Sequence, residues 1–421
     1  LSSCKRQTVD LNLPEMLDEA PDGEPLKAGL VGCGGRGTGA ALNFLNAGPN
    51  LQITALADVF QDKMDNCRKR LNEEKGVEVP DESCFIGFDG FQKVIESGVD
   101  IVILATPPFF RPGHFKACID ARKHVFMEKP LAVDPVGIRT IISAAKRAES
   151  LGLTVVTGTQ RHHQRDYVEV YKRVMSGEIG DIVAANCYWN QGKLWHRERK
   201  PEWTDMEFMI RDWVNWAWLS GDHITEQHVH NIDVINWFMG GKWPVSAVGF
   251  GSRQRRVTGD QYDNFSVDFV YEGDIHVHSM CRQIPGCTNN VSEFVRGTDG
   301  YSNCRNSIYN PAGEAIYEYE YPVNEQGEPT GRVAVSPYDQ EHIDMVTAIR
   351  TNKPINEAEF TAKSTLAAIM GRISAYTGKE VTWEEMMNSN LQIGPDTVLL
   401  EMGESDLINS QVPVPGTPPQ A

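Results

Sequence analysis

Residues 29–37 read Gly29-Leu30-Val31-Gly32-Cys33-Gly34-Gly35-Arg36-Gly37, and this stretch decides the fold. Ala28–Val31 is a short apolar run that suits a buried strand. Gly32, Gly34 and Gly37 are spaced G-x-G-x-x-G, and a helical stretch, Thr38–Ala47, follows directly. Strand, glycine turn and helix in that order aim backbone N–H groups at a space where a pyrophosphate fits. Asp58 lies 21 residues beyond Gly37, at the end of a second apolar run, Ile53–Ala57. A carboxylate there accepts hydrogen bonds from an adenosine ribose diol, which favours NAD over NADP. Arg36 stands against that preference, since a nearby guanidinium tolerates a 2′-phosphate.

Working outward, residues 27–157 alternate apolar runs with helical stretches. After the first two runs come Ile101–Ala105, His124–Met127 and Thr154–Thr157, and the helices after the first are expected at Asp62–Glu74, Phe91–Ser97, Gly113–Ala121 and Val136–Ser150. That alternation indicates a parallel sheet covered on both faces. The rhythm then changes. A helix is expected over Arg165–Ser176, a strand over Ile182–Trp189 and a helix near Thr225–Met239. Strand-like runs follow at Val245–Phe250, Asn264–Tyr271, Asp274–Arg282 and Asn289–Arg296, with more around Tyr301–Tyr321, before helices at Asp339–Arg350 and Thr361–Tyr376. A second domain on a mostly antiparallel sheet fits this order. The expected division is a tether over 1–25, a dinucleotide-binding domain over 26–157, a substrate and oligomerisation domain over 158–404 and a tail over 405–421.

Composition excludes several classes. The 421 residues carry 40 Lys and Arg against 57 Asp and Glu, a net charge of −17, which repels nucleic acid and anionic lipid. No apolar run approaches the roughly 20 residues a membrane-spanning helix needs. Nine cysteines without a C-x-x-C pair read as free thiols, with Cys281 and Cys287, flanking a Pro-Gly turn, as the one pair able to bridge. Leu1-Ser2-Ser3-Cys4 resembles the lipobox of bacterial lipoproteins. It predicts an exported protein with a lipid anchor at Cys4, in the periplasm or at the cell surface; the alternative is a cytoplasmic protein.

The fourth apolar run leads into Glu128-Lys129-Pro130. Strand ends of such sheets face the ligand crevice, so Lys129 can reach a bound substrate, and Pro130 fixes the backbone beyond it. The glycine turn, Ala105-Thr106-Pro107-Pro108, His114 and Glu128-Lys129-Pro130 together resemble the glucose–fructose oxidoreductase, inositol dehydrogenase and rhizopine-catabolism (Gfo/Idh/MocA) family. The resemblance spans residues 27 to about 395. It implies a Rossmann domain followed by an α+β domain with a large open sheet, and NAD as cofactor. With the resemblance, Gly32, Gly34, Gly35, Arg36, Gly37, Asp58, Thr106, Pro107, His114, Glu128 and Lys129 are expected around the cofactor, with Lys129 catalytic; Gln160 joins them from its place after the fifth apolar run, where cofactor and substrate should meet. A homodimer or homotetramer is expected by the same likeness.

The segment from His223 to Asp233 carries the second half of the chemistry. On one continuous helix Glu226, His230 and Asp233 share a face, and carboxylates beside His230 would favour its charged form. The family's pattern at this place resembles Asp-x-Gly-x-His-x-x-Asp, matched here by Glu226, His228, His230 and Asp233. His230 and Glu226 are therefore expected to be catalytic with Lys129. A metal held by His223, Glu226 and His230 is the weaker reading, because the spacing is not His-Glu-x-x-His, and no metal is expected.

Six of the nine tryptophans fall between Trp189 and Trp218. Aromatic faces with polar neighbours suit sugar recognition, so Tyr188, Trp195, His196 and Arg197, with Arg161 and Asp233, are the expected substrate contacts. Trp213, Trp216 and Trp218 read as core or a subunit interface. The chemistry expected is hydride transfer between a ring carbinol of a sugar, glycoside or cyclitol and the nicotinamide, with His230 taking the hydroxyl proton and Lys129 steadying the alkoxide. Two other readings are a redox-neutral NAD-dependent glycoside hydrolase acting through a 3-keto intermediate, whose usual Tyr-Pro-Thr-His-like segment is not seen, and a non-catalytic sugar-binding lipoprotein.

Overall fold

The computed structural model describes residues 13–395 and 400–416; the lipobox-like Leu1–Cys4, most of the expected tether's first half and the chain's last five residues lie outside them. The first unit builds β1 (Leu26–Val31), α1 (Gly35–Asn46), β2 (Leu51–Asp58), α2 (Gln61–Lys75), β3 (Cys84–Ile86), α3 (Gly90–Glu96), β4 (Ile101–Leu104), α4 (Arg111–Asp120), β5 (His124–Met127), α5 (Pro135–Ser150) and β6 (Val155–Thr157). Its six strands pair in the order β3-β2-β1-β4-β5-β6, all parallel. β4 is buried at every position, as a central parallel strand covered on both faces must be. The order reverses between β1 and β4, the switch point outside which such sheets bind ligands. The short β3 escaped the reading of the sequence because three residues carry no period.

The second unit contains α6 (Arg165–Met175), β7 (Ile182–Gln191), α7 (Asp205–Arg211), α8 (Ala217–Ser220), α9 (His223–Glu226) and α10 (Val229–Phe238). These are followed by β8 (Ser246–Ser252), β9 (Asn264–Tyr271), β10 (Ile275–Gln283), β11 (Asn290–Gly297), β12 (Tyr301–Ser302), β13 (Ser307–Tyr309) and β14 (Ala315–Glu318). The chain finishes with α11 (Pro337–Arg350), α12 (Ala358–Thr377), β15 (Val381–Thr382) and α13 (Trp383–Asn388). Nine strands form one sheet in the order β14-β13-β12-β11-β7-β10-β9-β8-β15, antiparallel except for β7 against β10. β9 alternates buried and half-buried residues, the mark of a sheet with one face on the core. The other face leaves Val248 51% and Phe250 71% exposed. The fold is thus an N-terminal Rossmann domain plus an α+β domain on a large, mostly antiparallel sheet.

The helix expected over Thr225–Met239 is interrupted. α9 closes after one turn, and α10 begins only at Val229. At the junction His228 N–H bonds back to His223 O at 3.1 Å, and His230 N–H to Gln227 O at 3.3 Å, so the regular i→i−4 ladder is lost. Tertiary hydrogen bonds override the periodicity. Gln227 Oε1 accepts from both Gln191 Nε2 and Gln283 Nε2, at 3.1 and 2.7 Å, and His228 Nε2 lies 2.7 Å from Ser279 Oγ. The eight cysteines among the described residues are free, Cys281 buried and Cys287 exposed, so no Cys281–Cys287 bridge forms.

α11 returns to the first unit. Ile343, Met345 and Val346 join the core beneath β1, and Asn43 Nδ2 donates to Asp339 Oδ1 at 2.7 Å. His163 fixes the crossing between units. Its Nδ1 is 2.6 Å from Asp344 Oδ2 and its Nε2 is 3.0 Å from Glu357 Oε1. Burial pushes its pKa down, but Glu357 and Asp344 outweigh burial and hold the imidazole well above its ordinary range. Replacing His163 by Leu leaves two enclosed carboxylates without their counter-charge, at a cost of about 3–5 kcal/mol. We expect a calorimetric melting temperature lowered by several degrees in His163→Leu; an unchanged one would show that the pair staples nothing.

Candidate active site

The glycine turn is closed on one side and open on the other. Gly32 adopts φ +98°, and a Cβ there would sit 2.7 Å from the Ala105 carbonyl carbon. A Cβ on Gly37 would sit 1.8 Å from Gly32 O. At Gly34 and Gly35 it would meet nothing within 4 Å. The first pair is demanded by packing, whereas the second faces the space where a pyrophosphate approaches the backbone. Asp58 ends β2 with Oδ2 accepting from Cys33 N at 2.7 Å and Oδ1 from Phe60 N at 2.9 Å. Burial pushes its carboxyl pKa up against these donors. The four glycines, Asp58, Thr106, Pro107 and His114 line a single crevice of about 450 Å³. This cradle fits a dinucleotide.

One residue not singled out in the sequence organises the crevice floor. Arg111, buried at the start of α4, donates to the Pro130 carbonyl at 2.5 Å and to the Thr106 carbonyl. It ties the Thr106-Pro107 turn to the Glu128-Lys129-Pro130 turn, whose Lys129–Pro130 peptide is cis. Burial pulls its pKa down to about 10, so it stays charged. His114 stacks on Phe91 with ring centroids 4.1 Å apart. Burial, then the Arg111 charge, brings its pKa down to about 3, which makes it a neutral wall. The local signal for Arg111 was an arginine in an otherwise apolar Pro-Pro-Phe-Phe-Arg-Pro run.

Arg36 and Glu128 connect the crevice to the second unit. Arg36 ion-pairs with Glu128, and its Nη2 lies 3.6 Å from Glu341 Oε2. Its charge is therefore turned toward Glu128 and Glu341. Lys129, Glu128 and Gln160 do not line the 450 Å³ crevice; Arg36 is the bridge to them. Lys129 Nζ donates to the Glu226 backbone carbonyl at 2.5 Å and to Glu226 Oε1 at 3.2 Å. The helix break makes the first contact available. In a continuous helix the Glu226 carbonyl would accept from His230 N–H, which instead bonds to Gln227 O.

His230 is partly buried beneath Trp189, with ring centroids 5.7 Å apart and planes at 21°. It is not held between carboxylates as expected. Glu226 is taken by Lys129, and Asp233 Oδ2 sits 2.6 Å from His162 Nε2. Burial, then Lys129, Arg161 and Arg36, hold the His230 pKa well below its ordinary range, the reverse of the expected shift. The imidazole is neutral at pH 7 and able to accept a proton. Arg161 pairs with Glu293 at 2.5 Å, and Gln160 keeps its Oε1 buried with no hydrogen-bond partner. His223 turns to Asp222 at 3.1 Å, away from the expected shared face.

The aromatic segment is placed differently from expectation. Side chains alternate along β7, so Trp189 faces His230 while Tyr188 stands on the open face, edge-on to His278 with centroids 6.0 Å apart. Trp195 and Arg197 line the dinucleotide crevice with Trp213. His196 pairs at 3.1 Å with the exposed Glu198. Trp216 and Trp218 are core, as read, but Trp213 is half-buried at the crevice. No cluster of three metal-ligating side chains occurs among the described residues.

Comparison with known proteins bears on the family and the fold. Residues 26–157 match the model of the oxidoreductase family with an NAD-binding Rossmann fold, and residues 167–301 match the GFO/IDH/MocA C-terminal domain. Inositol 2-dehydrogenase of Rubrobacter xylanophilus is 25% identical over 263 residues, which is 61% of this chain and 70% of that protein. Myo-inositol 2-dehydrogenase of Thermotoga maritima is 27% identical over 215 residues, 51% of this chain and 55% of that protein. Among solved structures, scyllo-inositol dehydrogenase from Lactobacillus casei with bound NAD(H) and scyllo-inositol superposes with a TM-score of 0.62 at 21% identity, covering 85% of this chain and 99% of that one. An oxidoreductase domain protein from Kribbella flavida gives 0.69 at 16% identity, covering 86% and 99%. These likenesses concern the fold, and the two family models run in succession through both units. The chain belongs to the Gfo/Idh/MocA family of oxidoreductases and carries its NAD-binding Rossmann domain.

Proposed function

We propose that this protein oxidises or reduces a ring carbinol of a cyclitol, sugar or glycoside, with NAD as hydride carrier. The observation that carries the reading is the junction of Lys129 and Glu226, set beside a neutral His230 and linked through Glu128 and Arg36 to the glycine turn. NAD rather than NADP is favoured because Asp58 stands at the ribose position and the Arg36 charge is taken up by Glu128 and Glu341. The inositol dehydrogenases among the relatives support a polyhydroxylated ring as substrate.

Gly34 and Gly35 would face the dinucleotide, which when bound would supply the hydride acceptor. The chain supplies proton handling and position. In the oxidising direction the neutral His230 imidazole accepts the hydroxyl proton. The Lys129 amine, aimed by Glu226, stabilises negative charge on the same oxygen. The Trp189 ring beside His230 offers a flat apolar face to the C–H side of a ring. The open sheet face bearing Val248 and Phe250 is proposed to pair subunits.

Lys129→Ala should reduce kcat by about 10²–10⁴-fold while NAD binding, followed by nucleotide fluorescence, is retained. Turnover at the wild-type rate would remove the reading. The pH profile gives an independent check. A base with a depressed pKa loses activity only once protonated, so its acid limb moves down. The acid limb of kcat/KM for oxidation should lie clearly below the ordinary imidazole value of about 6.5 and disappear in His230→Gln. A limb at 6.5 or above would exclude His230 as the base.

A further inference from the structure

Close to the Lys129–Glu226 junction lies a second, smaller cavity that the proposed reaction does not use. Its volume is about 220 Å³, and its lining includes Lys193, Asn215, Arg255, Arg256, Thr258 and Gln283. We propose that it is a subsite for an acidic sugar unit, bearing a carboxylate or a sulfate, attached to the ring whose carbinol is oxidised. The proposal rests on the reaction read above and adds the charge class of its substrate.

The lining is cationic in a chain of net charge −17. Arg253-Gln254-Arg255-Arg256 opens the loop between β8 and β9, and Lys193 follows the end of β7. Arg256 is the fixed member. Its Nη1 donates to Asn215 Oδ1 and its Nη2 to Gln283 Oε1, both at 2.5 Å, and its Nε donates to the Tyr262 carbonyl at 3.1 Å. Asn215 and Gln283 are 3% and 5% exposed, so the guanidinium sits on a buried frame. All three acceptors are neutral, and each Nη keeps a second N–H. Arg256 forms no ion pair among the described residues, nor do the exposed Lys193 and Arg255.

The acids around the loop are occupied elsewhere. Asp263 accepts the backbone N–H groups of Gln254, Arg255 and Arg256. Asp260 accepts that of Ala217, and Asp222 those of His223 and Tyr262. Asp212 is held by Arg197 N–H, Asn215 Nδ2 and Thr258 Oγ1. A guanidinium held in place by neutral partners, with two further cations at the rim, suits an anion that arrives with the ligand. Its planar fork matches the oxygens of a carboxylate or sulfate.

Position joins this cavity to the reaction. Gln283 stands opposite Gln191 in the β10–β7 register, and both amides donate to Gln227 Oε1. Gln227 directly follows Glu226, the partner of Lys129. Along β7, Gln191 is two residues beyond Trp189, on the same face and roughly 7 Å away. The strand thus leads from the ring stacked on His230 to the cationic lining. The cavity is smaller than the roughly 300 Å³ at which complete small-molecule sites begin, so it fits one portion of a longer ligand.

The test measures binding of glucuronate, glucose and inorganic sulfate to the full chain by calorimetry. The comparison is Lys193→Gln/Arg255→Gln, which removes two exposed charges and leaves the hydrogen bonds of Arg256 in place, with thermal unfolding as the control for the fold. The wild type should bind glucuronate at least about 10-fold more tightly than glucose or sulfate, and the variant should lose about 10-fold toward glucuronate alone. In turnover, the kcat/KM advantage of a glucuronosyl disaccharide over its carboxyl-reduced, neutral counterpart should shrink by a similar factor. Equal affinity for glucuronate and glucose, or an advantage unchanged in the variant, overturns the subsite. Sulfate bound as tightly as glucuronate makes this a site for free anions and overturns it as well. Binding needs no turnover, so a wild type that prefers glucuronate but oxidises neither disaccharide overturns the reaction reading and leaves the acid-binding cavity standing.

Discussion

The contact between Lys129 and Glu226 makes one site out of two units. Lys129 is delivered by the end of β5 in the parallel sheet, and Glu226 by the short helix α9 in the second unit. Neither has a use without the other. Both side chains are largely enclosed, at 13% and 11% exposure, and a charge in such a place is costly unless paired. The pairing therefore does more than join two side chains. It sets the amine on a carbonyl that the local backbone would otherwise have consumed, and that carbonyl is free because the helix stops at Gln227.

From that contact the site can be followed in both directions. Toward the cofactor, Glu128 precedes Lys129 and holds Arg36, which belongs to the glycine turn. Beneath them Arg111 binds two carbonyls, one from each adjacent turn. Toward the large sheet, Gln227 follows Glu226 and is fixed by Gln191 and Gln283 from neighbouring strands. A displacement of the Lys129 turn would be felt at the pyrophosphate cradle, and a shift of β7 against β10 would be felt at His230. Placement of this kind supplies much of the rate in hydride transfer, where the cofactor carries the hard chemistry.

What the sequence made legible was whatever is encoded within one strand–turn–helix step. The glycine turn, Asp58 and Lys129 lie at strand ends whose positions follow from a simple alternation of apolar and helical runs. What stayed hidden depends on partners far away in the chain. The spacing of Glu226, His230 and Asp233 suited one helix face, but hydrogen bonds from Gln191, Gln283 and Ser279 broke that helix. Tyr188 and Trp189 differ by a single step along a strand, and only the register of β7 decides which meets His230. The tryptophan cluster was read as a sugar-recognition surface, but the structure divides it: Trp195 and Trp213 line the glycine-turn crevice, and Trp216 and Trp218 are core. Chain position could not show that division, because the segment crosses from one unit to the other. Arg111 carried no signal beyond its unusual neighbours.

The charges around His230 explain why it must be the neutral member of the group. Lys129, Arg161 and Arg36 all act on it, and each already has a carboxylate: Glu226, Glu293 and Glu128. Asp233, the carboxylate one turn along the same helix, is occupied by His162. A proton on His230 would add a fourth positive charge with no partner left to offset it. In the resting site the imidazole is therefore empty of its second proton. In the proposed oxidation, loss of a proton from a substrate hydroxyl would change the balance, because the alkoxide is itself the missing counter-charge. The same arrangement that disfavours protonated His230 alone thus favours it when an oxyanion forms beside it, and that difference between resting and reacting states is what catalysis requires.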